Sequence, residues 1–152
     1  MRYLCIFAIA FSWCVPMAGF GISQIHDAST GALVKQLEEK DVERRRDAVY
    51  ELVRRVDQSD AVIAALGKAT ADDDTQVRVQ SLTGLGRAGK KSGTVLPELL
   101  NCLSNRDAQV RYRAAGALGA IGTTAIEPLT KHWMSASNDS KIAIAQALAI
   151  IG

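Results

Sequence analysis

From residue 29 onward, apolar positions recur three and four apart, the period of a helix with one buried stripe. Leu96, Leu99, Leu100 and Leu103 form one such stripe, and Ile126, Leu129 and Trp133 repeat it 30 positions later. The pattern predicts helices in pairs: a first (A) helix near residues 29–39, 60–70, 95–104 and 125–134, and a second (B) helix near 42–56, 75–88, 108–121 and 140–151. Pro97 and Pro128 fall in first turns, where a missing N–H leaves no helical bond unmade. A polar turn holding an aspartate precedes each B helix: Asp41, then Asp72 to Asp74, then Asp107, then Asp139. Aspartate there accepts from the unsatisfied N–H groups of the first turn. Gly89 and Gly122 stand where a helix C-terminus asks for positive φ. No strand is predicted.

The pattern also repeats as text. Asp107 to Gly122 matches Asp74 to Gly89 at an offset of 33 positions without a gap. Asp41 to Val56 fits more loosely, with Asp41, Arg45, Ala48, Leu52 and Val56 in the matching columns and Arg44 where Val77 and Val110 stand later. Lys141 to Gly152 follows at an offset of 30. A fixed period in the 30s means helical hairpins stacked in a row, each unable to bury its apolar face alone. Leu52, Leu85, Leu118 and Leu148 make one core column, and Ala48, Ser81, Ala114 and Ile144 another. Gly86 and Gly119 share a mid-helix column. Glycine costs about 1 kcal/mol relative to alanine there, so the column predicts close approach of neighbouring helices.

The motif D-x-x-V-R-x-x-A-x-x-A-L-G-x-I-G, read from Asp107 to Gly122, resembles the second helix of a HEAT repeat, of the short bacterial kind related to phycobilisome-lyase repeats. The resemblance covers roughly residues 30 to 152. It implies an all-α fold, a right-handed α-solenoid of about four helical hairpins. It further implies that an Asp/Arg ladder bridges successive repeats: Asp41 and Arg45, Asp74 and Arg78, Asp107 and Arg111, with Lys141 at the fourth rung. Planar guanidinium suits such a ladder better than ammonium. In such stacks the concave side is lined by B helices, and partners bind there. Facing out from the core columns on that side are Arg46, Tyr50 and Arg54, then Val79, Thr83 and Arg87, then Tyr112, Arg113 and Gly116. Two tyrosines beside arginines have the composition of an interaction hot spot. The expected partner is a protein or peptide. The alternative carried by the same resemblance is an accessory subunit of a phycobilin-lyase-like or chaperone-like factor. An N-terminal leader and the small number of repeats speak against it.

Composition narrows the function further. Eighteen basic against 16 acidic residues leave a net charge of +2, too weak for the basic face that nucleic acid requires. The runs Arg44–Arg46 and Arg54–Arg55 interleave with Glu38, Glu39, Asp41, Glu43, Asp47 and Glu51, which predicts i, i+4 pairs on a solvated face. The only histidines, His26 and His132, lack clustered co-ligands, so no metal site is expected. Cys102 lies among Leu99, Leu100 and Leu103 and reads as a small buried hydrophobe. No phosphate loop or nucleophile motif is present, so no catalytic residue, cofactor or enzymatic activity is expected.

The first 21 residues belong to another class. Met1-Arg2 begins them, Tyr3 to Val15 is apolar apart from Ser12, and Pro16, Ala18, Gly19 and Gly21 follow, the order of a secretory signal peptide. The expected division is a leader at 1–21 cut before Ile22, a linker at 22–28 and a HEAT-repeat domain at 29–152, with export to the periplasm or beyond. A lipoprotein signal at Cys14 is disfavoured by bulky Trp13, and an uncleaved anchor by Pro16 and the glycines. With the leader gone, Cys102 is alone and no internal disulfide can form. The last predicted helix carries one charge between Lys141 and Gly152, so that end should be covered by a partner, by self-association, or by further repeats.

Overall fold

A computed structural model describes residues 29–56 and 59–152, and the leader, the linker and His26 lie outside the described residues. Eight α-helices follow in order: α1 (Thr30–Gln36), α2 (Val42–Arg54), α3 (Asp60–Ala69), α4 (Thr75–Ala88), α5 (Leu96–Cys102), α6 (Ala108–Ile121), α7 (Ile126–Trp133) and α8 (Asn138–Ile151). There is no strand among the described residues. Odd-numbered helices form one layer and even-numbered helices the other. Within the even layer α2 packs on α4, α4 on α6 and α6 on α8, while each odd helix packs mainly on its own partner. The result is an α-solenoid of four hairpins.

Side-chain caps set the helix starts. Asp41 accepts from the Glu43 N–H, Asp74 from Val77 and Asp107 from Gln109. The fourth turn departs from expectation. Ser137 caps α8 through the Ser140 N–H, and Asp139 lies inside the first turn. The helix therefore opens at Asn138, two residues before the predicted start. At the other ends, Gly89 (φ 57°) and Gly122 (φ 89°) terminate α4 and α6 in the backbone region open to glycine. Two 3₁₀ segments absent from the helical periodicity, Gly89–Val95 and Thr123–Ala125, turn the chain into the next A helix. The first is held by Ser92, whose buried hydroxyl donates to the Leu85 carbonyl at 2.6 Å.

One core runs the length of the stack. Leu52, Leu85 and Leu118 are fully buried, as are Ala48, Ser81, Ala114 and Ile144 one turn earlier. Leu148, the fourth of the leucine column, is only half-buried because no helix follows α8 in the described chain. The glycine column divides. A Cβ on Gly119 would lie 2.6 Å from Ile150 Cγ2, so that position does bring two helices together. On Gly86 the nearest atom would be Ala117 Cα at 3.7 Å, ordinary contact, so close approach does not explain it. The tight position on α4 is Gly84, where a Cβ would meet Val53 Cγ2 at 2.7 Å and Leu66 Cδ1 at 3.0 Å. No helix among the described residues is long and apolar enough to cross a membrane.

Candidate partner-binding face

The turns between A and B helices are built by arginine. Arg45, Arg78 and Arg111 sit in the first turn of α2, α4 and α6, so each guanidinium folds back over the turn that precedes it. Their Nη1 groups donate to two carbonyls there: Glu39 and Lys40 at 3.0 and 3.1 Å, Asp72 and Asp73 at 2.8 and 3.0 Å, and Asn105 and Arg106 at 2.9 and 3.0 Å. The outer edge of the fork is free to reach the next repeat. Arg45 grips both oxygens of Asp72 at 2.8 and 3.0 Å, and Arg111 reaches Asp139 at 3.0 Å. Arg78 turns instead to Thr75 Oγ1 in its own repeat. Asn105 stands in the column of Asp72 and offers a neutral amide, already accepting from the Asp107 N–H. Lys141 places its ammonium 5.8 Å from the centre of the Trp133 ring.

The aspartate of the D-x-x-V-R motif is thus not the ladder's acceptor. Asp41 and Asp107 cap their own helices, and Asp74 takes Arg46 in a bidentate pair at 3.0 and 2.7 Å while capping α4. That pairing holds the Asp74 carboxyl down to about 2, chiefly through the Arg46 hydrogen bonds. It also means that Arg46, read from sequence as facing a partner, is engaged between the first two repeats. The other arginines of the basic runs are likewise paired. Arg44 meets Glu39 at 2.8 Å, and Arg54 and Arg55 both lie beside Glu51 at 3.7 and 3.9 Å. These partners are divided: Glu39 and Asp74 lie across a turn or one repeat on, whereas Glu43 and Glu51 lie i, i+3 or i, i+4 along α2.

Three columns on the even helices carry the remaining predicted residues apart from Arg113. Tyr50 and Tyr112 are 58% and 61% exposed. Val79 is half-buried against the core, and the Thr83 hydroxyl is spent on the Val79 carbonyl at 2.8 Å. Arg87 and Arg113 are exposed; Arg87 has only a long contact with the Val53 carbonyl at 3.5 Å, and neither forms an ion pair among the described residues. The structure brings Thr83, Arg87, Tyr112, Arg113 and Gly116 together around a groove of about 320 Å³ crossing α4, α6 and α8. Tyr50 and Arg54 lie outside it.

Gln146 and Ile150 also line this groove and were missed from sequence. Continuing the columns into the fourth repeat at its offset of 30 finds them, since Gln146 stands in the column of Gly116 and Ile150 in that of Ala120. A second concavity of about 350 Å³ opens between α1 and α3, lined by Val34, Leu37, Ala61, Ala65 and Lys68, and holds none of the predicted partner-binding residues. Cys102 is buried, with its thiol pushed up by that burial. His132 lies 3.4 Å from the Ser104 hydroxyl. The described residues hold no cluster of three or more His, Cys, Asp or Glu able to bind a metal ion.

Comparison with known proteins agrees with this architecture. The family model described as HEAT repeats matches residues 63–149. Among solved structures, the complex of CpcE and CpcF of phycocyanin lyase from Nostoc sp. PCC7120 is similar over 82% of this chain and 54% of that chain, at 23% identity and a TM-score of 0.63. Two engineered proteins are similar at 25% and 24% identity with a TM-score of 0.54, over 80% of this chain and 62% and 37% of theirs. The chain thus spans about half the length of the phycocyanin-lyase chain it matches. Curated proteins yield no match.

Proposed function

Because this chain belongs to the HEAT-repeat family, we propose that it works as an exported, non-enzymatic scaffold holding a protein partner on its even-helix face. One observation carries the reading. The arginines of α2 are paired with acidic residues, whereas Arg87 and Arg113 stand exposed beside Tyr112 without an ion pair among the described residues. Tyrosine and arginine around a concave apolar patch are the residue types that anchor protein interfaces. The non-enzymatic part is supported by Cys102, whose raised thiol pKa and burial unfit it as a nucleophile. Export is supported by the charged, apolar and small-residue order of residues 1–21.

The test is cross-linking in the native cell envelope, with partners identified by mass spectrometry. Replacing Tyr50 and Tyr112 together with alanine is expected to remove the cross-linked partner without lowering the melting temperature, because both side chains are mostly in solvent. A partner retained by the double variant would place the binding surface elsewhere.

A further inference from the structure

We propose that the groove across α4, α6 and α8 selects peptide segments that carry a carboxylate beside an apolar side chain; the proposal rests on the scaffold reading above and supplies the chemistry of its partner. At about 320 Å³ the groove is at the lower end of ligand sites, roughly 300–1,000 Å³, and suits part of a peptide. Its floor comes from Leu82, Ala117 and the bare backbone of Gly86 and Gly116. Beyond the missing Cβ of Gly116 there is nothing within 4 Å, so the space is open to a visitor.

The charge on the rim is one-sided. Arg87 and Arg113 both line the groove, no acidic residue does, and neither arginine has a carboxylate within the described chain. A planar guanidinium offers two parallel N–H groups, the geometry that a carboxylate accepts. Tyr112 and Gln146 line this groove and also a second dip of about 240 Å³. There the basic group is already neutralised, since Arg111 meets Asp139 at 3.0 Å, and Ile142 is 61% exposed. A peptide lying across Tyr112 therefore finds unbalanced positive charge on one side and an apolar wall on the other, with the Gln146 amide between them to bond its backbone. Nucleic acid is the poorer fit. Its affinity comes from many phosphate contacts, and this face offers two unpaired arginines in a chain of net charge +2.

The test is selection of random dodecapeptides displayed on phage by the immobilised full chain. Enriched sequences are then synthesised with fluorescein and their affinity read by anisotropy. Enriched peptides should share Asp or Glu beside Leu, Ile or Phe, and bind more weakly as NaCl is raised. Arg87→Gln and Arg113→Gln should each weaken binding about tenfold, the scale of one partly exposed charge pair. Gly116→Leu should abolish binding by extending a side chain over the groove from a position where a Cβ meets nothing within 4 Å. Arg106→Gln, an equal loss of charge at an exposed site outside the groove, should leave affinity unchanged. Four results would overturn the proposal: no enriched peptide, enrichment without acidic residues, wild-type affinity retained in both arginine variants, or tighter binding of mixed-sequence single-stranded DNA. The two readings fail separately. If Gly116→Leu removes the cross-linked partner while both arginine variants keep it, the scaffold stands and the acidic chemistry falls.

Discussion

Four glycines on two helices offer a test of the packing by one repeated change, glycine to alanine. Inside a helix that change gains about 1 kcal/mol where the new methyl has room. Gly116 faces open space, so Gly116→Ala should gain the full amount. Gly86→Ala should gain nearly as much, since its methyl would rest 3.7 Å from Ala117 Cα. At Gly84 the methyl would be driven to 2.7 Å from Val53 Cγ2 and 3.0 Å from Leu66 Cδ1, side chains buried on two different helices. Overpacking of that kind costs roughly 1–3 kcal/mol, which offsets or outweighs the helical gain and leaves a net loss of up to about 2 kcal/mol. Gly119→Ala presses on Ile150 at 2.6 Å, but Ile150 lies in the last turn of α8 and is 58% exposed, so that turn can yield. Its net effect should fall between zero and a loss of about 1 kcal/mol. The expected order of stability is Gly116→Ala, Gly86→Ala, wild type, Gly119→Ala, Gly84→Ala. Circular dichroism melts read the order directly, because about 1 kcal/mol moves the midpoint of a domain this size by roughly 4 °C. A Gly84→Ala variant as stable as Gly116→Ala would refute the assigned register of α4 against α2 and α3.

Other outcomes follow from the same geometry. Leu118→Ala, at a fully buried position, should cost about 2–5 kcal/mol, read from urea unfolding. Asp74 titrates at about 2 when folded against an ordinary 3.8, so its contribution to stability is complete above pH 3.8 and lost as pH falls through about 2. Arg46→Gln removes the main cause and should flatten that acid limb of a denaturation profile; an unchanged limb would mean that the pair does not persist in solution. N-terminal sequencing of protein recovered from the cell envelope should begin at Ile22, and a chain that keeps Met1 in the cytosol would end the export reading. The exposed Ile142 and Ile150 on α8 should drive concentration-dependent association in light scattering, which a charged replacement such as Ile142→Lys should reverse.

The fold could be read from the sequence because repetition multiplies weak signals. One aspartate before an apolar run suggests a cap, and the same aspartate 33 positions later, followed by the same Val-Arg, fixes the period and the pairing of helices together. Repetition misleads where a repeat breaks its own rule. Ser137 supplanted Asp139 as a cap because the fourth repeat is shorter and its turn differs. Partners were harder to read than elements. Arg46 faces out from the core columns, yet its fork lies opposite the cap of the next repeat, a relation set by the rise between stacked hairpins. Gly84 was passed over for the same reason. Its tightness comes from Val53 and Leu66 on other helices, whereas the recurring Gly86 column stood out only because it recurs. The groove was half visible: columns supplied Thr83, Arg87, Tyr112 and Gly116, and the shift of register into the fourth repeat hid Gln146 and Ile150.

The arginine staples carry one further consequence. Each of Arg45, Arg78 and Arg111 fixes its own turn by gripping two carbonyls just upstream, without waiting for a neighbouring hairpin. A turn finished from within is a prefabricated joint. Residues 90–122 begin after one positive-φ glycine, end on another and contain their own staple, so they can be spliced as a cassette. Copies inserted at Gly122 would lengthen the molecule, and its outward-facing columns with it, by whole repeats at a time. Gene duplication needs no redesign of such a joint, and an engineer extending this surface would not need one either.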